Sequence, residues 1–165
     1  MFQWVARLFG RTEKSPIRLA SRPKRLIPEA ARKVLEGAET MIVHSLDPSS
    51  PAGDIPGNFH DWRVLGSVSV ECAATRARIA AEMIAANQAS DGGPKCFNAT
   101  HGIRVASQGQ EVDLLACFWC SWLEVIGPDG VWGGMVPVGS GPKRMLDRLL
   151  RKAGVPLGKD PHRWI

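Results

Sequence analysis

The chain lacks several features that would announce a function class. No stretch approaches the roughly 20 consecutive apolar residues that a bilayer-spanning helix needs. The opening MFQWVARLFGRTEKS has neither the long apolar region nor the small-residue cleavage site of a secretory signal. Both observations make the cytoplasm the default expectation. No internal repeat of fixed period appears, which argues against a solenoid or propeller. Gly139, Gly141 and Lys143 in VGSGPKR lack the spacing of a phosphate-cradling loop. A serine nucleophile elbow and a pair of catalytic carboxylates are missing too.

What is present begins with size and charge. A chain of 165 residues, 44% apolar and 22% charged, can bury one core without a metal or disulfide to hold it. The net charge of +5 is unevenly spread. Residues 1–33 hold nine Lys/Arg against Glu13 and Glu29, and residues 34–140 hold five against twelve acidic residues. From Gly141 onward there are seven against Asp147 and Asp160. The body is acidic and both ends are basic. Nucleic-acid binders present a basic face with aromatic or helical reading elements. Here the basic residues lie largely in a tail and on one helix, so the expected partner is an acidic protein or a membrane surface engaged through residues 1–33. Phe2, Val5, Leu8 and Phe9 share one side of a short helix near Arg7 and Arg11, as an interfacial helix would. The plainer reading is a terminal helix packed on its own domain.

Periodicity then divides the chain. Residues 1–26 read as a basic arm, 27–158 as a single domain and 159–165 as a tail. A helix starts at Pro28, which suits the first helical position, carries Ala30, Ala31, Val34 and Leu35 on one face, and ends at Gly37. Residues 40–46 predict a strand stopped by Asp47-Pro48-Ser49-Ser50-Pro51, followed by a long surface loop to Asp61. Residues 62–71 alternate as a half-buried strand, and 73–88 read as a helix broken by Ser90-Asp91-Gly92-Gly93-Pro94. A meander follows at 102–107, 111–117, 119–126 and 131–137, with Gly127-Pro128-Asp129-Gly130 as a turn. A last helix runs from Pro142 to Gly154 and buries Met145, Leu146, Leu149 and Leu150. The order predicts an α+β fold, a mostly antiparallel sheet with helices packed on one face.

The candidate chemistry is concentrated in Cys96, His101, Cys117 and Cys120. Three thiols and an imidazole, spaced Cys-x4-His and then Cys-x2-Cys, are a ligand mix suited to tetrahedral zinc. A two-residue turn at Gln108-Gly109 would pair Arg104 with Asp113, Val105 with Val112 and Ile103 with Leu114, matching charge to charge and apolar to apolar. That register puts His101 opposite Ala116, on the face that also carries Cys120, and Cys117 on the other face. Residues three apart on a regular strand cannot both reach one ion. A zinc site therefore requires a bulge or turn within Cys117-Phe118-Trp119-Cys120. Three other readings stand beside the structural zinc site: thiols that are simply buried, a thiol-dependent redox or nucleophilic enzyme in which His101 supplies a cation or a base, and an interaction module using the basic arm. Cys72, at the end of a strand, reads as structural.

The segments CFNATHGIRV (96–105) and VDLLACFWC (112–120), with SLDP (45–48), WRVLG (62–66) and AGVPL (153–157), resemble a family of small uncharacterised bacterial proteins. Its signature is C-F-x-P-R-H-G-I-R, then V-D-L, a hydrophobic pair and C-F-x-C. The resemblance spans residues 38–158 and implies no established activity. Ala99 and Thr100 replace the family's Pro and Arg, so the fixed cation that the pattern would set beside the thiols is absent. Members are often exported, which would imply pairing of Cys96 with Cys117 or Cys120 in an oxidising space.

The remaining signals are weaker. Asp113 and Arg104 read as a cross-strand ion pair rather than a catalytic carboxylate and clamp. His44, beside Ile42 and Leu46, reads as a satisfied core histidine. Trp119, Trp122 and Trp132 read as core residues, any exposed one marking a partner surface.

Overall fold

The computed structural model describes residues 24–51 and 56–159. Most of the expected basic arm, the interfacial helix within it, and the tail lie outside these residues.

Local chemistry sets the three helices. α1 (Glu29–Glu36) follows Pro28, buries Ala31, Val34 and Leu35, and stops at Gly37, where a Cβ would lie 2.8 Å from Ser107 Oγ. α2 (Ala73–Ala89) buries Ile79, Ala80 and Met83. α3 (Gly141–Lys152) has Pro142 in its first turn, Arg151 and Lys152 in its last, and Gly154 at φ +72° beyond its end.

Six strands form one antiparallel sheet: β1 (Thr40–Pro51), β2 (Trp62–Ser69), β3 (His101–Ser107), β4 (Gln110–Cys117), β5 (Trp122–Gly127) and β6 (Gly130–Pro137). Their order is β2-β1-β3-β4-β5-β6, so β2 and β6 are the edges and only the α2 crossover departs from nearest-neighbour hairpins. Gln108 and Gly109 take φ of 50° and 74° in the β3–β4 turn, and the ladder pairs Ile103 with Leu114, Arg104 with Asp113 and Val105 with Val112. The fold is α+β, as the alternation of elements predicts.

The sheet's two faces differ. Met41, Val43, Ile103, Val105, Val112, Leu114, Leu123 and Val125 bury against the three helices. The opposite face carries a smaller apolar cluster of Leu46, Phe59, Trp62, Ala99 and Leu115, capped by loops. β1 is longer than expected and runs through Pro48. Its register with β2 shifts between Leu46 and Pro51, so the proline sits in a gap of the ladder where no amide is needed. β5 starts at Trp122 rather than residue 119, because Phe118–Ser121 form a turn with Ser121 at φ 57°.

Candidate functional site

The β4–β5 turn gathers the sulfurs. Cys117 ends β4 and pairs with Trp122 at the start of β5, leaving Cys120 on the intervening turn. The Cys120 backbone N–H donates to Cys117 Sγ at 3.3 Å. The loop after α2 folds over this turn: Trp122 Nε1 donates to the Pro94 carbonyl at 2.9 Å, and a Cβ on Gly93 would lie 2.6 Å from the Cys120 carbonyl oxygen. That close approach needs glycine. It carries Cys96 onto Cys120, and the two form a disulfide with Cα atoms 5.9 Å apart. Cys117 and Cys120 are buried and Cys96 is half-buried. Trp119, at the tip of the same turn, is 56% exposed, so it does not belong to the core.

His101 is engaged elsewhere. It starts β3 on the helix-covered face, where Nε2 lies 3.0 Å from Asp147 Oδ1 on α3 and Nδ1 lies 3.0 Å from Thr100 Oγ1. Burial pushes the imidazole pKa down, so the ring is neutral near pH 7. A neutral ring next to a carboxylate places its proton on Nε2, and Nδ1 then accepts from the Thr100 hydroxyl. Asp147 also takes the Lys143 ammonium at 2.7 Å. The turn required by the zinc expectation is present, yet Cys96, His101, Cys117 and Cys120 do not converge as four ligands. Two of the sulfurs are bonded to each other, and both ring nitrogens of His101 have partners. Among the described residues no group of three or more His, Cys, Asp or Glu side chains is arranged to hold a metal ion.

The opposite face holds a second polar cluster. Arg104 grips Asp113 through Nε at 2.9 Å and Nη2 at 2.7 Å, and Nε also approaches Glu111 at 3.2 Å. The cross-strand pair has a third member: His60 donates from Nε2 to Asp113 Oδ2 at 2.8 Å. His60 stands at φ 53°, a left-handed conformation that is uncommon for a non-glycine residue. Next to it the Phe59 ring lies 4.4 Å from the His44 ring, with the Arg104 guanidinium 5.3 Å from its centroid. His44 Nδ1 meets Ser67 Oγ at 2.7 Å, while its Nε2 is buried with no hydrogen-bond partner among the described residues. His44 is thus half-buried and only half satisfied. Burial, with the Arg104 charge, lowers its pKa from 6.5 to about 4.

Cys72 precedes α2 at the other end of the sheet. It is exposed, and the backbone amides of Thr75 and Ala74 with the Thr75 hydroxyl, in the first turn of α2, lower its thiol pKa. Its exposure and lowered pKa set it apart from the structural role that its place at the end of a strand suggests.

His60, Ser67 and Asp147 were not singled out by sequence. His60 comes from an aperiodic loop and Ser67 from an ordinary strand alternation. Asp147 did leave a signal, a carboxylate beside Leu146 on the apolar stripe of α3. Comparisons with protein-family models, with curated proteins and with solved structures find no match for the chain.

Proposed function

We propose that the chain is a thiol–disulfide exchange protein whose working bond is Cys96–Cys120. The observation that supports this reading is the gathering of three sulfurs at one turn: Cys120 is bonded to Cys96 while its amide holds the Cys117 thiol. Cys96 is the most accessible of the three, so a substrate thiolate attacks its sulfur. The Cys96–substrate bond forms, the Cys96–Cys120 bond breaks, and Cys120 leaves as a thiolate. A second substrate thiolate then attacks the mixed disulfide. The substrate leaves as a disulfide, and two electrons and two protons remain on Cys96 and Cys120. Exposed Trp119 at the tip of the turn offers an apolar contact for a protein dithiol.

The test uses the oxidised full chain and a reduced peptide containing two cysteines. Peptide disulfide should appear in equal amount to newly alkylatable Cys96 and Cys120, and Cys96→Ser should abolish it while circular dichroism confirms folding. A Cys96–Cys120 bond that persists under excess peptide dithiol, or peptide oxidation that survives Cys96→Ser, overturns the reading.

A further inference from the structure

We infer that the outward stripe of α3 is a docking surface for an anionic lipid membrane. The inference is independent of the cysteines. α3 carries Lys143, Arg144, Arg148, Arg151 and Lys152 against one acidic residue, Asp147. That carboxylate is turned inward, and both its oxygens are taken, by His101 and by Lys143. Arg144, Arg148 and Arg151 follow at steps of four and three, which places them along one edge of a helix, and all three are exposed with Lys152 alongside. Together with the rim of Asp147 they line one shallow open groove. Among the described residues none of these four cations forms an ion pair.

Such a stripe works against the fold that carries it. Like charges three and four apart on a helix repel, and the helix dipole favours cations only in the last turn, where Arg151 and Lys152 sit. Arg144 and Arg148 gain nothing from it. An external anion relieves the repulsion, and guanidinium forks match phosphate oxygens in pairs.

The wider charge distribution favours a planar surface as the partner. The three helices hold nine basic and four acidic residues, while the opposite face of the sheet carries Glu111 and Glu124 beside the Arg104–Asp113 pair. The molecule is therefore polarised across its sheet, and a negatively charged plane draws the helix layer towards itself. Large exposed apolar side chains among the described residues are Leu26, Trp119 and Met135, so α3 offers no aromatic platform for stacking bases. Leu26, 51% exposed, follows Arg25 in a segment tied to the Asn87 side chain, and Asn87 also donates to the Pro137 carbonyl just ahead of α3. An exposed apolar side chain directly after Arg25, in a segment held to α2, suits the headgroup boundary of a bilayer.

The test floats the full chain with phosphatidylcholine vesicles containing about one third phosphatidylglycerol, and with phosphatidylcholine alone, at low and high salt. Binding is expected to the anionic vesicles only, and to fall with salt. The triple variant Arg144→Gln, Arg148→Gln, Arg151→Gln should lose about a hundredfold, and Arg148→Gln alone about fivefold, from the usual contribution of one cation at an anionic surface. A control losing the same charge elsewhere, Arg63→Gln, Lys95→Gln, Lys159→Gln, should bind as the parent does. The inference fails if the parent ignores anionic vesicles, if the α3 variants float unchanged, if the control loses as much, or if duplex DNA is bound in preference to the vesicles.

Discussion

Asp147 on α3 accepts a hydrogen bond from His101 on β3 at 3.0 Å, with 8% and 2% of the two residues exposed. Burial alone would raise the Asp147 carboxyl. The hydrogen bonds from His101 and Lys143 and the Lys143 charge outweigh it, and hold the carboxyl at about 2 against an ordinary 3.8. A depressed folded pKa adds stability that is present above 3.8 and lost as pH falls from there to about 2. With the Lys143 end open to solvent screening, the contribution is about 1 to 2 kcal/mol. Urea melts of Asp147→Asn across this range should show a lower stability at neutral pH and a flatter acid limb. A variant with the parent's full acid slope would place that proton elsewhere.

Much of the fold could be read from the chain because its rules are local. Strand alternation and the Gln108-Gly109 turn were enough to give the β3–β4 register, down to Arg104 opposite Asp113. The turn at residues 118–121 could not be assigned in the same way. Its sequence, Phe-Trp-Cys-Ser, contains no Gly, Pro, Asn or Asp, and the break is imposed by Ser121 entering the left-handed region and by the loop that Cys96 anchors. The candidate site was half legible for a related reason. Spacing marks which sulfurs are near in sequence, but it cannot say that a glycine, Gly93, lets a distant loop reach Cys120. Nor does any period connect His60 with Asp113, 53 residues away.

The disulfide closes a separation of 24 residues between the end of α2 and the β4–β5 turn. Loop-closure entropy assigns it about 3.5 kcal/mol. Cys96→Ser and Cys120→Ser should each lower the unfolding free energy by about that amount, and equally. The equality matters, because Cys120→Ser also alters the turn that holds Cys117. A much larger loss in Cys120→Ser alone would show that the turn, rather than the bond, carries the stability.

Cys72 should be the first thiol to react. The Thr75 and Ala74 amides and the Thr75 hydroxyl lower its pKa from 9.0, and it is exposed, whereas Cys117 is buried. Iodoacetamide labelling of the oxidised chain, read by peptide mass spectrometry, should find Cys72 alkylated first, with a pH midpoint below that of an ordinary thiol. Faster labelling at Cys117 would mean that the β4–β5 turn opens more readily than its packing implies.

Gly102 makes room for the ring that shields His44. A Cβ there would lie 2.6 Å and 2.7 Å from Cδ1 and Cε1 of Phe59, an overlap that the ring can relieve only by lifting. Gly102→Ala should therefore cost about 1 to 3 kcal/mol, the usual range for overpacking a filled site. Its more specific consequence is electrostatic. His44 is kept at about 4 chiefly by burial, to which the adjoining Phe59 ring contributes, and lifting the ring readmits water to the imidazole. Because the folded pKa lies below the ordinary 6.5, His44 withdraws stability as pH falls from 6.5 to about 4. Gly102→Ala should raise the His44 titration midpoint towards 6.5 and flatten the stability profile over that interval, even though it lowers stability overall. An NMR titration of the histidine ring protons separates the two effects. A His44 midpoint unmoved in a destabilised Gly102→Ala chain would show that the sheet beneath the ring, and not Phe59, keeps the imidazole neutral.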